Sequence, residues 1–232
     1  MQGLKRQCFA VAILALAASA STGRQVAAQT PPGAAEVAAY GGLHRAAHDG
    51  DAAAIRQLLA GGADPEARDA NGRTPLHVSA FASHEEAVAA LAAGGADVNA
   101  LDGELYDMVT IAAVAGDLAM LKAALAAGND PGLTTSRYDG TALIAAAHLG
   151  HAEVVKILIE AGAPLDHVNN LGWTALIEAV ILGDGGPRHQ QTVRYLAAAG
   201  ADQAIADRQG MTPLGHAKAR GYEEMIAILE GG

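Results

Sequence analysis

The chain has 232 residues, of which 51% are hydrophobic and 3% aromatic, and its formal net charge at pH 7 is −10. An acidic chain of this kind lacks the basic footprint with which proteins neutralise nucleic-acid phosphates, so no nucleic-acid partner is expected. Cys8 is the single cysteine, which excludes an intramolecular disulfide and a metal site built from several cysteines.

The amino terminus has the pattern of a secretory signal peptide. Lys5 and Arg6 form a basic start, and an apolar run of about 13 residues from Cys8 to Ala20 follows. A run of this length is too short to span a bilayer, which favours a cleaved signal over an uncleaved membrane anchor. Small residues favour cleavage after Ala28, with Ala20 as the alternative site. We therefore expect an exported, periplasmic protein whose mature form has no membrane segment.

Removal of this segment makes the chain more acidic, because the segment carries Lys5, Arg6 and Arg24 and no acidic residue. The remaining chain has 12 Lys and Arg against 25 Asp and Glu, a formal charge of −13. A charge of this size favours solubility and a monomeric state. It does not by itself indicate a basic partner.

A unit of about 33 residues recurs from Tyr40 to the end of the chain. Its clearest copy is residues 140–172, GTALIAAAHLGHAEVVKILIEAGAPLDHVNNLG. The residues that end the first helix of each unit recur at spacings of 33, 33, 34, 33 and 38, and they are Gly50, Ser83, Gly116, Gly150, Gly183 and Gly221. These spacings predict six units.

Each unit predicts a pair of helices. Thr74 and Thr212 each precede Pro-Leu, which places the threonine at a helix N-cap and the proline in the first turn, where no N–H partner is needed. Small residues one turn later allow neighbouring helices to approach closely. Glycines supply the left-handed conformation that ends a helix. Apolar pairs such as Leu158 and Ile159 face neighbouring units, because one unit alone does not bury them.

This pattern resembles the ankyrin-repeat family, whose units read G-x-T-P-L-H-x-A-A-x-x-G-H, then E-[VI]-V-x-x-L-[LIV], then G-A-D-x-N. The resemblance implies an all-α repeat solenoid of helix-turn-helix units with β-hairpin loops, which binds other proteins and needs no cofactor. The chain is then divided into a signal peptide (1–28), a flexible lead-in (29–39) and an ankyrin-repeat domain (40–232), with repeats near 40–68, 69–101, 102–135, 136–168, 169–206 and 207–232.

Two units depart from the family pattern. The third has Asp107 and Met108, followed by Val-Thr, in place of T-P-L-H, which predicts a weaker helix cap. The fifth carries five extra residues within 183–191, GDGGPRHQQ. We expect this insertion to form a surface loop between the two helices of the unit, where added length costs little free energy.

Motifs that carry chemistry are absent from the sequence. It contains no G-x-S-x-G, P-loop or dinucleotide-binding motif. His44 and His48 are spaced i, i+4, but no H-E-x-x-H pattern accompanies them, so no metal site is expected. Repeat stacks also offer shallow grooves, whereas catalysis generally uses a closed pocket. We predict a protein that is not an enzyme, with a periplasmic enzyme as the alternative from a different functional class.

Aromatic residues indicate the binding face. Four of the seven aromatic residues outside the signal segment fall on hairpin tips or at the exposed end of a first helix, positions that ankyrin-repeat proteins use to contact partners. Aromatic and Arg side chains dominate protein–protein hot spots. The predicted partner-binding residues are Arg73, Phe81, Tyr106, Tyr138, His148, Trp173, Leu182 and Met211. The alternative is that each ring packs against the next hairpin.

The partner predicted by this surface is another protein. The chain would act as an accessory or regulatory partner of a periplasmic protein. The alternative is a neutralising, immunity-type partner of a toxin or hydrolase.

Overall fold

The structure, a computed structural model, describes residues 29–231. The predicted signal peptide and its cleavage sites lie outside the described residues. Between residues 29 and 231 the chain forms thirteen helices, which are α1 (Ala34–Ala39), α2 (Gly42–His48), α3 (Ala52–Ala60), α4 (Pro75–Phe81), α5 (Glu85–Ala93), α6 (Met108–Ala115), α7 (Leu118–Ala126), α8 (Ala142–Leu149), α9 (Ala152–Glu160), α10 (Ala175–Ile181), α11 (Pro187–Ala198), α12 (Pro213–Arg220) and α13 (Glu223–Glu230). None of these helices has the length and apolar character needed to cross a membrane.

The helices from α2 onward form two stacked layers. Each unit contributes a pair, from α2 with α3 to α12 with α13, and the two helices of a pair pack against each other. Each first helix also contacts the first helix of the next unit, and the second helices do the same. This arrangement confirms the prediction of an all-α repeat solenoid.

Close packing of the first helices depends on one small residue in each of them. All six of these residues are buried, namely Ala46, Ser79, Ala112, Ala146, Ala179 and Ala217. Ile55, Leu121 and Leu158 of the second helices are fully buried as well. Because each unit buries its apolar face against its neighbours, one continuous core runs along the stack.

Five hairpin loops lead into the first helices of units two to six. Each loop is closed by a backbone hydrogen bond of 2.7 to 3.0 Å between its first N–H and its last carbonyl, and the loops are residues 69–73, 102–106, 135–140, 169–173 and 207–211. In the part of the chain that the structure describes, these loops are turns without assigned strands. Of the expected β-hairpin pairing, the described residues show one isolated antiparallel bridge, between Thr135 and Gly140.

The third unit has a complete helix cap. The Asp107 side chain accepts the N–H of Thr110 at 2.9 Å, which is shorter than the 3.4 Å between the Thr141 hydroxyl and its partner in the fourth unit. Asn129 supports this cap, because its amide donates to Asp107 Oδ2 at 2.9 Å. The prediction of a weaker cap is wrong, since aspartate caps a helix at least as well as threonine does.

The insertion of the fifth unit does not form a separate surface loop. Helix α11 begins at Pro187, and its His189 is 5% exposed. The Nε2 atom of His189 lies 3.0 Å from the carbonyl oxygen of His148 in the preceding unit. The loop prediction is therefore wrong for residues 187–191, which form the start of the second helix, and it holds for residues 183–186.

The lead-in at residues 29–39 is predicted to be flexible, but its second half is helical. Helix α1 occupies Ala34–Ala39, and Glu36 in this helix lies 3.3 Å from the Arg73 guanidinium of the second unit. The segment is thus attached to the repeat stack at a point that is 37 residues away in sequence.

Candidate partner-binding surface

Three large apolar side chains lie exposed on adjacent hairpin loops, and we call them the tip row. They are Leu105, Tyr138 and Leu171, which are 48%, 49% and 40% exposed. Full burial of an apolar side chain of this size is favourable by roughly 1.5 to 3 kcal/mol, so its exposure is unfavourable in the free protein. Adjacent exposed apolar side chains are typical of interaction sites.

Backbone hydrogen bonds hold the loops of the tip row together. The Ser136 N–H donates to the carbonyl oxygen of Leu105 at 2.7 Å, and the Asn170 N–H donates to the carbonyl oxygen of Tyr138 at 2.9 Å. The Asn170 side chain donates a further bond to the Arg137 carbonyl at 2.8 Å. The three loops therefore form one connected surface.

Side-chain oxygens inside the loops fix their shape. Asn169 Oδ1 accepts the N–H groups of both Leu171 and Trp173 at 3.0 Å. Asp102 Oδ1 accepts the N–H of Tyr106 at 3.0 Å in the same way. Short polar side chains that bond to backbone groups a few residues ahead stabilise turns. The exposed side chains thus project from a preorganised backbone.

Leu105 has a strained backbone. Its φ is 66°, in the left-handed region, and the equivalent residues of three other loops are glycines with φ between 74° and 86°, namely Gly72, Gly172 and Gly210. For a residue with a Cβ atom, this conformation costs about 1 to 2 kcal/mol of conformational free energy. Leu105 is also 48% exposed, so its packing does little to offset this cost. Strain of this kind occurs at functional positions more often than elsewhere.

A buried carboxylate lies beside the tip row, at the start of the fifth unit. Glu178 is 4% exposed, its Oε1 atom accepts the Asn169 amide at 2.9 Å, and its Oε2 atom lies 3.3 Å from Nδ1 of His148. The His148 side chain is 50% exposed. Glu178 therefore orients a solvent-facing histidine and also holds the loop that carries Leu171. Its charge within the apolar stretch ALIEAVI is a sequence signal that could have identified it.

The predicted partner-binding residues differ in exposure. Tyr138, His148 and Met211 are exposed, Phe81, Tyr106, Trp173 and Leu182 are partly buried, and Arg73 is buried. Phe81 and Tyr106 pack against the core, as the packing alternative expects. Burial raises the pKa of Tyr106, with the charge of Asp102 acting in the same direction, so this phenol stays protonated at neutral pH.

Arg73 is not part of the exposed surface. It is 5% exposed, and its Nη1 atom lies 3.2 Å from Asp69 and 3.3 Å from Glu36. The predicted partner-binding residue Arg73 is therefore buried in the free protein, where Thr30 and Glu36 of the lead-in contact its guanidinium.

Leu105 and Leu171 were not predicted, although both stand in loops that the repeat pattern locates. The residue types enriched in hot spots are aromatic residues and Arg, and leucine is neither. The sequence signal for both residues is a large apolar side chain within a loop of the repeat pattern. Their exposure follows from the turn geometry and from the neighbouring loops.

Known proteins share this architecture. A family model described as ankyrin repeats (three copies) matches residues 36–104 and 109–207. An ankyrin repeat domain from Acinetobacter baumannii AYE is similar in structure, with a TM-score of 0.76 and 45% identity over 82% of this chain and 96% of that one. The ankyrin repeat domain of Bcl-3, a member of the IkappaB family, has a TM-score of 0.73 at 28% identity over 83% of this chain and 86% of that one.

A curated relative agrees with these matches. The ankyrin repeat protein YahD of Escherichia coli (strain K12) is 38% identical over 95 residues, which are 40% of this chain and 47% of that protein. This chain thus aligns with about half the length of that relative. Ankyrin repeats generally mediate protein–protein interaction, and they are typically binding scaffolds without enzymatic activity. The chain belongs to the ankyrin-repeat family.

Proposed function

We propose that this protein binds another protein through the tip row and the neighbouring residues His148 and Trp173, and that it acts as a non-catalytic accessory or regulatory partner. The observation that carries this proposal is the tip row itself. Its three side chains, Leu105, Tyr138 and Leu171, are each at least 40% exposed on adjacent loops. A partner that covers them would remove apolar surface from water.

Preorganisation supports the same proposal. The loops are closed by their own backbone bonds and joined to each other, so little backbone entropy remains to be lost on binding. Tyr138 supplies a rigid ring that can fill a pocket of the partner. His148, held by Glu178 at 3.3 Å, supplies a polar group at the edge of the apolar surface. A core of apolar contacts with a polar edge is the usual composition of an interface.

We further propose export to the periplasm, which rests on the basic and apolar pattern of the amino terminus. Fractionation and intact-mass measurement test it. A mature product that begins near Gln29 in the periplasmic fraction is expected. A product that retains residues 1–28 in a membrane fraction would contradict this part of the proposal.

The binding proposal is tested with the partner recovered from a periplasmic extract and then purified. Tyr138→Ala should weaken the complex about 30-fold or more, which corresponds to about 2 kcal/mol for a hot spot. Leu118→Ala is the matched control, because Leu118 is an apolar side chain, 38% exposed, at the start of α7 and outside the hairpin loops. An effect of Leu118→Ala equal to that of Tyr138→Ala would refute the tip row as the interface.

Trp173 gives an independent readout. It is partly buried in the free protein and shares the Asn169 side chain with the backbone of Leu171. Its emission should shift to the blue, and iodide quenching should fall, when the partner binds. Where the partner is an enzyme, its activity with and without this protein separates an accessory role, which raises the activity, from a neutralising role, which abolishes it.

A further inference from the structure

The second unit differs from its neighbours at one position of the binding face. Arg73 stands immediately before the helix N-cap Thr74, and the residues at this position in units three, five and six are Tyr106, Trp173 and Met211. Those three side chains are exposed or partly buried, whereas Arg73 is 5% exposed. A segment of the same chain covers it.

The covering segment is the lead-in, and it contacts Arg73 through one backbone carbonyl and one side-chain carboxylate. The Arg73 Nη2 atom donates to the backbone carbonyl of Thr30 at 2.9 Å, and Nη1 donates to the carboxylate of Glu36 at 3.3 Å. The Asn71 amide donates to the same carboxylate. The Arg73 guanidinium is therefore shared between the lead-in, through Thr30 and Glu36, and Asp69 of its own loop.

The lead-in has polar contacts but almost no apolar anchor. Helix α1 contains no buried residue, and four of its six residues, all alanines, are exposed. A helix of six residues is far shorter than the roughly 12 to 15 residues that an isolated helix needs for marginal stability in water. The ion pair that attaches the segment joins the buried Arg73 guanidinium to the partly exposed Glu36 carboxylate at 3.3 Å. The cover is therefore held much less firmly than the repeat units beneath it.

The surface beneath the cover is suited to binding. The Arg73 guanidinium lies 5.7 Å from the centre of the Phe81 ring and 3.2 Å from Asp69. Asp69 also accepts the Tyr40 hydroxyl at 2.7 Å, which keeps this carboxylate in place. The ring and Asp69 hold the guanidinium with two of its nitrogens directed at the lead-in. Arg is well suited to recognising a carboxylate together with a carbonyl, because its donors have a fixed planar geometry.

We propose that Arg73, Asn71 and Phe81 form a binding site for an extended acidic segment of the partner, which the chain's own lead-in occupies in the free protein. This inference rests on the proposed function, since it extends the same binding face to the second unit. The occupant is inferred from the present one, in which a Glu carboxylate contacts Nη1 of Arg73 and a backbone carbonyl contacts Nη2. A partner segment with an Asp or Glu at the matching position would replace Glu36.

Glu36→Ala in the full chain tests whether the cover is displaceable. Hydrogen exchange at the N–H groups of Val37 and Tyr40, which bond to carbonyls within the lead-in, should rise to the rate of an unprotected peptide. The buried stack around Leu158 should keep its protection. Glu86→Ala, at an exposed position on α5, is the matched control and should change neither rate. Unchanged protection of Val37 in Glu36→Ala would overturn the inference, because the lead-in would then be a fixed part of the fold.

A second measurement uses an acetylated peptide with the sequence of residues 29–41 as the probe. Added to the Glu36→Ala protein, it should shift the Nε–H resonance of Arg73, and the same peptide with Glu36→Gln should bind about tenfold or more weakly. No shift of the Arg73 resonance would overturn the inference. Neither experiment involves the tip row, so a failure here leaves the proposed function standing. If Tyr138→Ala left the affinity for the partner unchanged, the proposed function would be refuted. The results for the lead-in would not be affected.

Discussion

The Nε2 atom of His189 lies 3.0 Å from the carbonyl oxygen of His148, at the end of the first helix of the preceding unit. The same contact joins His84 to the carbonyl of His48 at 3.0 Å. In the sixth unit the Tyr222 hydroxyl donates to the Gly183 carbonyl at 3.1 Å. Helix ends leave carbonyl groups without partners, and these side chains satisfy them from the next unit. The insertion of the fifth unit therefore shifts this residue from position 184 to 189 and preserves its contact.

Substitution of His189 should show how much its contact with the His148 carbonyl contributes to the free energy of unfolding. His189→Ala should lower the free energy of unfolding by about 1 to 3 kcal/mol, because it removes a buried ring and leaves a helix carbonyl without its partner. Arg188→Ala, at the neighbouring exposed position of α11, should change it by less than about 0.5 kcal/mol. Urea denaturation gives both values. Equal effects would mean that residues 187–191 act as a surface loop after all.

Leu105 should lower the stability of the free protein and raise its affinity for the partner. Leu105→Gly removes a strain of about 1 to 2 kcal/mol from a φ of 66°, and it loses about 0.5 to 1 kcal/mol to backbone entropy. We expect the free energy of unfolding to be maintained or to rise by up to about 1 kcal/mol, while partner affinity falls. Leu171→Gly, which has no such strain to relieve, should lower both stability and affinity. Thermal denaturation that ranked the two variants in the opposite order would contradict this account.

Gly132 and Pro164 replace a bonded pair found between other units. Elsewhere a side chain accepts the N–H of the next unit, as Glu66 does for Asp97 and Asp166 does for Asp202, both at 2.8 Å. Gly132 has no side chain to accept such a bond, and Pro164 has no N–H to donate.

A double-mutant cycle at this pair should reveal a favourable coupling. Gly132→Asn alone should be at most mildly destabilising, because its Cβ atom would lie 3.2 Å from the exposed Asp130 carboxylate, which has to shift slightly, and in ordinary contact with the Pro164 ring at 3.4 Å. Pro164→Asp alone should have a small effect. Together they should restore the hydrogen bond, with a coupling of about 0.5 to 1.5 kcal/mol in the free energy of unfolding. Additive effects in chemical denaturation would show that no bond forms.

Asp207 should make the sixth unit sensitive to acid. Burial alone opposes its ionisation, but the N–H of Met211, the ring of His216 at 2.7 Å and the N–H of Gln209 outweigh it, so the pKa of Asp207 lies below its usual value. A lowered folded-state pKa contributes stability that is present above the unfolded value of about 3.9 and is lost as pH falls through the folded one. Asp207→Asn should therefore reduce the loss of stability in acid, measured by urea midpoints from pH 7 downwards.

Asp107 provides the opposite case for comparison with Asp207. Burial raises the pKa of Asp107, so its contribution to stability is present at low pH and is lost as pH rises above about 3.9. Asp107→Asn should change the slope of stability against pH in the opposite direction to Asp207→Asn. Slopes that change in the same direction would contradict these assignments.

Tyr40 should titrate late and report on the lead-in. Burial, together with the hydrogen bond to Asp69, raises the pKa of Tyr40 to about 12. Because this pKa is raised, the contact stabilises the folded protein fully below about pH 10, and this stability is lost as pH rises towards 12. The difference in absorbance at 295 nm between the protein and Tyr40→Phe isolates this phenol. A difference curve centred near pH 10 would show that the Tyr40 hydroxyl is exposed to solvent and does not bond to Asp69.

The sequence alone predicts the repeat architecture because each helix pair is specified locally. The glycine spacing, the small residue in each first helix and the Thr-Pro-Leu caps at Thr74 and Thr212 all act within one unit or between adjacent units. The locations of the hairpin loops follow from the same period. The positions of Tyr138, His148 and Met211 on exposed surface could therefore be read from the repeat pattern.

Tertiary structure decided the features that depend on contacts between distant parts of the chain. Arg73 is buried because Glu36, 37 residues earlier, folds back over it, and His189 is buried because it reaches a carbonyl 41 residues earlier. The Glu36 contact lies outside the repeat pattern, and the His189 contact recurs between units but is displaced by the five inserted residues, so residue type and spacing did not predict either. Local periodicity determines which elements form, whereas the exposure of a side chain depends on everything packed around it.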